Sequence, residues 1–201
     1  MVMTTFQPHD LLWGITPELL PDDVSQWVVE AVSEQRPVVV RRAVTNPRNI
    51  AVGIRGKQRS HRLALEMPVN AISKCVKPES LIDTDLSQFP HLQGKLAAVY
   101  NLMQGLNLSW GYTGSVGFEL ATGLKTVNEN SDIDLLIRAH EPVSKLDAQN
   151  ILGLLDQLNL KLDVQLQTPQ GGVALREWAG TTGNVLLKRN DKAVLVDNPW
   201  G

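Results

Sequence analysis

The stretch Gly111–Ala139, "GYTGSVGFELATGLKTVNENSDIDLLIRA", decides how the chain is read. Near its end the apolar strand "DIDLLI" opens with two carboxylates, Asp132 and Asp134, around one isoleucine. Strand side chains alternate faces, so Asp132, Asp134 and Leu136 share one side, and Ile133, Leu135 and Ile137 share the other. The spacing predicts a strand that turns its apolar side to a core and aims both carboxylates outward. Two like charges this close oppose each other's ionisation unless a positive charge lies between them. A divalent cation meets that need, and Mg²⁺ is commonly held by one or two carboxylates together with phosphate oxygens. Mn²⁺ suits the same oxygen ligands. Strand-edge solubility, or capping of the preceding loop, is the plainer account of the pair, and spacing alone does not choose.

Earlier in the stretch, Gly114 and Ser115 fall between a short strand and a helix that ends on Gly123. A glycine there lets backbone approach a ligand closely, and the helix start offers N–H groups and a positive dipole end. Gly114 and Ser115 are therefore a candidate phosphate seat, although a Gly-Ser turn before a helix also serves as a plain N-cap. Farther on, "LKLDVQLQT" puts Leu162, Val164 and Leu166 on one face and Lys161, Asp163 and Gln165 on the other. If this strand lies beside "DIDLLI", Asp163 joins Asp132 and Asp134.

The rest of the chain supplies the setting. Its 201 residues suffice for one large or two small domains, and 43% hydrophobic and 20% charged residues with a net charge of −2 describe an ordinary globular protein. A nucleic-acid partner is not expected on that charge. Cys75 is the only cysteine, which excludes an internal disulfide and a CxxC zinc site. No apolar run reaches membrane-spanning length and the N-terminus lacks a signal-peptide pattern, so a cytoplasmic protein without membrane contact is expected. The four histidines, His9, His61, His91 and His140, show no metal-ligand spacing. Trp13, Trp27, Trp110 and Trp178 are expected to pack in cores or between domains.

Charge is unevenly spread. Between Gln35 and Leu65 stand Arg36, Arg41, Arg42, Arg48, Arg55, Lys57, Arg59 and Arg62, with no Asp or Glu. Such a block suits an anionic partner, or is a solvated face. Val24, Trp27, Val28 and Ala31 recur at helical spacing, with Asp22 or Asp23 placed to cap the helix. "VVVRRAV", "NIAVGIRG" and "RLALEMP" read as strands. "VKPESLIDTDLSQFP" lacks period and marks a domain boundary. The expected organisation is α+β: a small basic α+β domain over residues 1–80, then a domain over 81–201 in which a mixed sheet is covered by helices. Its last strands, "NVLLKR" and "AVLVDNP", form a hairpin.

Gly-Ser, a helix, an acid pair on a strand and a lone acid on a later strand resemble the DNA polymerase β-like nucleotidyltransferase superfamily. There the Gly-Ser holds a triphosphate and the acids bind two metal ions. The gap between Ser115 and Asp132 exceeds the minimal superfamily pattern, with "KTVNEN" as the excess, and a mobile loop is expected there. "HDLLW", "RPVVVRR", "VGIRGKQRSHR", "GSVGFELATGL", "SDIDLLI", "DVQLQTPQGGVALREW" and "VLLK", in this order, are similar to the phosphoribosyl-dephospho-CoA transferases of the malonate decarboxylase system.

That resemblance implies transfer of a prosthetic group from 2′-(5″-triphosphoribosyl)-3′-dephospho-CoA to a serine of the apo acyl-carrier subunit, with loss of pyrophosphate. It implies Asp132 and Asp134 as the catalytic centre, with Mg²⁺ on both and Asp163 as a third metal ligand or the base. Gly114, Ser115, Arg55, Arg59 and Lys188 are the candidate phosphate-binding residues. The alternatives are transfer of a nucleotide to another protein, small molecule or RNA, and an inactive binding module of the same fold.

Overall fold

The computed structural model describes residues 5–56 and 60–201, and the chain divides into two units, Met1–Lys77 and Pro78–Gly201, each built on its own sheet. The fold class is α+β, as the alternation of patterns implied. Among the described residues no helix is long and apolar enough to cross a membrane.

In the N-terminal unit five strands run antiparallel throughout: β1 (Leu11–Trp13), β2 (Val38–Val40), β3 (Asn49–Arg55), β4 (Arg62–Pro68) and β5 (Lys74–Val76), in the order β4-β3-β2-β1-β5. Helix α1 (Gln26–Ser33) buries Val28, Ala31 and Val32 in a core shared with Leu12, Val38, Val40, Val52, Ile54 and Met67. Asp22 and Asp23 do not cap α1; its N-cap is Ser25. Strands β1 and β5 were not legible in the sequence because three residues are too few to show alternation. Asp10 is fully buried and its carboxylate accepts the Gln7 amide at 3.0 Å; its carbonyl accepts the Val40 amide of β2 while the His9 amide donates to the Val40 carbonyl, so "HD" before "LLW" anchors the first strand.

The C-terminal unit carries six strands in the order β11-β10-β9-β8-β7-β6. They are β6 (Trp110–Tyr112), β7 (Ile133–Arg138), β8 (Leu162–Thr168), β9 (Gly171–Ala174), β10 (Val185–Lys188) and β11 (Ala193–Val196). Only β7 and β8 pair in parallel. A parallel pair needs a crossover, supplied by α4 (Lys145–Asp156), whose first turn is capped by the Ser144 hydroxyl accepting the Asp147 amide at 3.0 Å. The other helices are α2 (Pro90–Gln104), α3 (Gly114–Thr122) and α5 (Leu175–Gly180). Strand β9 was missed in the sequence because "GGVA" has little side-chain pattern to read.

One face of this sheet is apolar across its width. Leu135, Ile137, Val164, Leu166, Val173, Val185 and Leu187 are all buried there. Helix α5 packs on β8 and β9 and against α4, and Tyr112 on the same face donates its hydroxyl to the Leu96 carbonyl of α2 at 3.1 Å. Burial pushes the Tyr112 hydroxyl above its ordinary range, so it stays a donor.

The opposite face is covered over β6 and β7. Helix α3 lies against both strands, and the segment Pro78–Leu81 lies against β6 and α3. This corrects the expectation that the Asp132–Leu136 side faces outward along its length, since Leu136 is 1% exposed. Gly111, the register partner of Leu136, admits the Pro78–Leu81 segment so closely that a Cβ on it would stand 2.1 Å from the Pro78 carbonyl carbon. Beyond it Arg138 pairs with Glu79. Over β8, β10 and β11 the same face carries Asp163, Leu186, Lys188 and Leu195, which are exposed, and Gln165 and Gln167, which are half-buried.

Gly111→Ala should destabilise the protein by about 2 kcal/mol or more, because the clash is with backbone that cannot change rotamer. Chemical denaturation should show a lower midpoint for it, while Gly153→Ala, on α4 with open space around it, should be neutral or stabilising.

Candidate active site

The parallel register of β7 and β8 sets Asp134 directly beside Asp163. Adjacent strands stand about 4.8 Å apart, and register partners share a face, so the two carboxylates rise side by side. Both occupy the second residue of their strands, at the edge where the open face begins. Asp134 is half-buried and Asp163 exposed. Their neighbours Leu135 and Val164 point to the opposite, buried face.

Gly114 completes this corner. The Thr113 amide still donates to the Asp134 carbonyl at 2.9 Å, extending the β6–β7 ladder by one residue before the chain turns into α3. Gly114 makes that turn at φ +60°, a conformation that favours glycine. A Cβ there would lie 1.7 Å from Asp134 Oδ2. The backbone at the start of α3 therefore rests against the Asp134 carboxylate, and Ser115 follows in the first turn. The first-turn N–H groups of a helix have no partner within the helix, and with its dipole they form an anion seat. The structure thus brings together Gly114, Ser115, Asp134 and Asp163.

Asp132 stands one residue ahead of β7, exposed. Among the described residues no group of three or more His, Cys, Asp or Glu side chains is placed to hold a metal ion, so Asp132 is not gathered with Asp134 and Asp163 into a three-carboxylate cluster. The donors that do meet, two adjacent carboxylates beside a helix start, are hard oxygen ligands of the kind Mg²⁺ or Mn²⁺ takes together with phosphate oxygens. The residues fit such an ion.

The "KTVNEN" segment, expected as a mobile loop, is tied to α3. Glu119 is 1% exposed, and its Oε2 accepts the Thr126 and Val127 amides at 2.7 Å each. Its Oε1 lies 2.7 Å from His91 Nε2 on α2. The Thr126 hydroxyl donates to the Ser115 carbonyl at 3.0 Å, and an Asn128–Ser131 turn then leads to Asp132. Sequence reasoning missed Glu119. The available signal was a lone acid inside the apolar run "VGFELA".

Other candidates stand elsewhere. Lys188 pairs with Gly172, Gly172 with Gln167 and Gln167 with Arg138, so Lys188 belongs to a row four residues along β8 from Asp163 and two strands across. That places it about 13 Å along the strands and about 10 Å across them, too far to share a phosphate with Asp134. Arg55 ends β3 in the N-terminal unit, exposed and in register with Arg62. Lys57 and Arg59 lie outside the described residues. Arg36 pairs with Glu34, and Arg42 lies 3.4 Å from His9. His61 stacks on Trp27 with centroids 4.9 Å apart. On the helical side, a groove of about 400 Å³ runs between α4, α5 and the start of β8, with the Arg176–Asp156 pair at its rim.

The chain matches the family model of the phosphoribosyl-dephospho-CoA transferase MdcG N-terminal domain over residues 7–78, and that of the C-terminal domain over residues 80–199. It is 45% identical over 198 residues to a phosphoribosyl-dephospho-CoA transferase from Pseudomonas putida, covering 98% of this chain and 97% of that one. A protein of the same name from Pseudomonas fluorescens is 42% identical, covering 96% and 93%, and one from Azotobacter vinelandii is 43% identical, covering 96% and 94%. No solved structure matches the chain. Both halves of the chain, together with near-complete coverage at this identity, place it in the phosphoribosyl-dephospho-CoA transferase family.

Proposed function

We propose that this transferase moves the 2′-(5″-phosphoribosyl)-3′-dephospho-CoA group from its triphosphoribosyl precursor to a serine of the apo acyl-carrier subunit of malonate decarboxylase, releasing pyrophosphate. The observation that carries the reading is the corner where Asp134 and Asp163 stand in register beside Gly114, in a chain of this family. It suits a phosphoryl group attacked by a hydroxyl.

The acceptor serine Oγ forms a new bond to the α-phosphorus, the α–β phosphoanhydride bond breaks, and pyrophosphate leaves with the bonding pair. Asp163, exposed at the strand edge, takes the hydroxyl proton on a carboxylate oxygen. The start of α3, at Gly114 and Ser115, holds the phosphate chain through backbone N–H groups and the helix dipole. The carboxylate of Asp134, with Asp163 adjoining in register, would hold Mg²⁺ or Mn²⁺, which when bound would neutralise the charge that grows on the departing pyrophosphate. Glu119 fixes the Thr126–Val127 backbone, and with it the approach of the chain to Asp132. Arg55 and the basic residues around it offer contacts to the anionic precursor or to an acidic carrier surface. The setting is the cytoplasm, where the single cysteine, Cys75, stays reduced.

Asp134→Asn should lower turnover by roughly 10³-fold, the scale of one lost electrostatic contact to a developing anion, with thermal unfolding little changed. Intact mass of the apo carrier, incubated with enzyme, precursor and Mg²⁺, measures the transfer; near-normal turnover would exclude the assigned role. Asp163→Asn should cut single-turnover rates by about 10²-fold or more while precursor titrations stay near wild type, since the amide keeps the shape but cannot take a proton. Equal losses in binding and rate would make Asp163 a substrate-positioning group. Gly114→Ala should do both kinds of damage: about 1–2 kcal/mol of left-handed backbone strain, read by denaturation, and loss of transfer as the methyl displaces the Asp134 carboxylate.

A further inference from the structure

Lys188 is too far from Asp134 and Asp163 to meet the reacting phosphates, yet it stands on the same side of the same sheet. Following register partners from Asp163, the shared face runs through Gln165 and Gln167 on β8, Gly172 on β9, Lys188 on β10 and Ala193 on β11. Leu186, two residues before Lys188, shares this face and pairs with Leu195. Over β6 and β7 the face is filled by α3 and Pro78–Leu81; beyond β7, Asp163, Leu186, Lys188 and Leu195 are exposed on it and Gln165 and Gln167 are half-buried. The result is a shelf. The start of α3 and Asp134 stand at one corner, and Lys188 with the Leu186–Leu195 pair stands across the floor.

The shelf's composition is not that of a solvated sheet face. Leu195 is 66% exposed and Leu186 38%, cross-strand partners that together present an apolar patch to solvent. Gly172 puts no side chain in front of Lys188. Lys188 makes no ion pair among the described residues. A patch of this kind, next to an unpaired cation and continuous with a phosphate corner, suits a ligand with a second anionic group and a flat apolar part.

We propose that this shelf binds the nucleoside-diphosphate half of the substrate, with Lys188 on the diphosphate remote from the reacting phosphoryl group and Leu186 and Leu195 against the purine base. The proposal rests on the reading that the substrate derives from dephospho-CoA. In such a substrate two linked ribose rings separate the reacting triphosphate from the second diphosphate. The row spacing offers a matching separation, about 16 Å in the sheet plane between Asp163 and Lys188 backbone positions, part of which the lysine side chain spans. One triphosphate cannot bridge that distance and keep its reacting phosphorus at Asp134. Lys188 therefore acts in substrate recognition and has no part in pyrophosphate departure.

The test uses the full-length protein, with dephospho-CoA and inorganic pyrophosphate as separate calorimetric probes. Lys188→Met should weaken dephospho-CoA binding by about tenfold, the scale of one hydrogen bond to a charged group, and Leu195→Ser should weaken it by a smaller factor. Both positions are exposed, so both variants should fold, which thermal unfolding verifies. Pyrophosphate affinity should be unchanged in both, and in the transfer assay the loss should fall on KM for the precursor with kcat preserved. Dephospho-CoA binding equally to wild type and both variants would overturn the shelf and leave the proposed function standing. Equal loss of pyrophosphate affinity would return Lys188 to the reacting phosphates and overturn the assignment. A loss confined to KM for the acceptor protein would make the shelf a protein-docking face, again overturning it. No dephospho-CoA binding to wild type would remove the substrate reading itself.

Discussion

Where β6 turns into α3, a peptide backbone and a carboxylate claim the same few ångströms. Gly114 yields by having no side chain, and Asp134 takes the space its Cβ would fill. Much else in the C-terminal unit follows from this contact. It fixes α3 against β7, because the helix must begin where the left-handed glycine leaves it. It aligns the helix start with the strand edge that β8 meets in parallel, and so brings Asp163 to Asp134. A small shift in the β7–β8 register would separate the two acids and leave the glycine without a reason.

The surroundings keep this corner in place with buried polar groups that are matched. Glu119 would be costly in an apolar helix interior, but both of its oxygens have partners in two backbone amides and His91. A buried carboxylate satisfied in this way adds specificity: it selects one path for the chain between α3 and β7. At the other end of the sheet, Trp200 donates its indole N–H to the Ala139 carbonyl at 2.7 Å and packs edge-on to Trp178, so the C-terminal residues also close onto the strand that carries Asp134.

Much of this was legible in the sequence. Long periodic segments showed α2, α4, β7 and β8, and the alternation in "LKLDVQLQT" put Asp163 on the correct face. The strand partnership that unites Asp134 with Asp163 was only conditional, because pairing is a long-range fact that no local pattern encodes. Short strands such as β1, β5 and β9 lack the length to show a period. Leu136 was read as facing outward because alternation identifies two faces but not how many are covered. Lys188 was grouped with the phosphates by its charge alone, and the register shows how far along the sheet it lies. The tethering of Thr126 and Val127 depended on Glu119, whose role only the folded chain reveals.

The short segment Pro78–Leu81 carries a lesson for dissecting the chain. It opens the C-terminal unit and is pressed into the Gly111 gap, and Glu79 pairs with Arg138, whose side chain is 5% exposed. What looks in the sequence like a connector is an integral piece of the second sheet's cover. A fragment meant to isolate that sheet has to begin before Pro78. Started a few residues later, it would strip a buried guanidinium of its carboxylate and uncover β6 beside the helix that holds the phosphate corner, and its poor behaviour would be misread as dependence on the N-terminal unit.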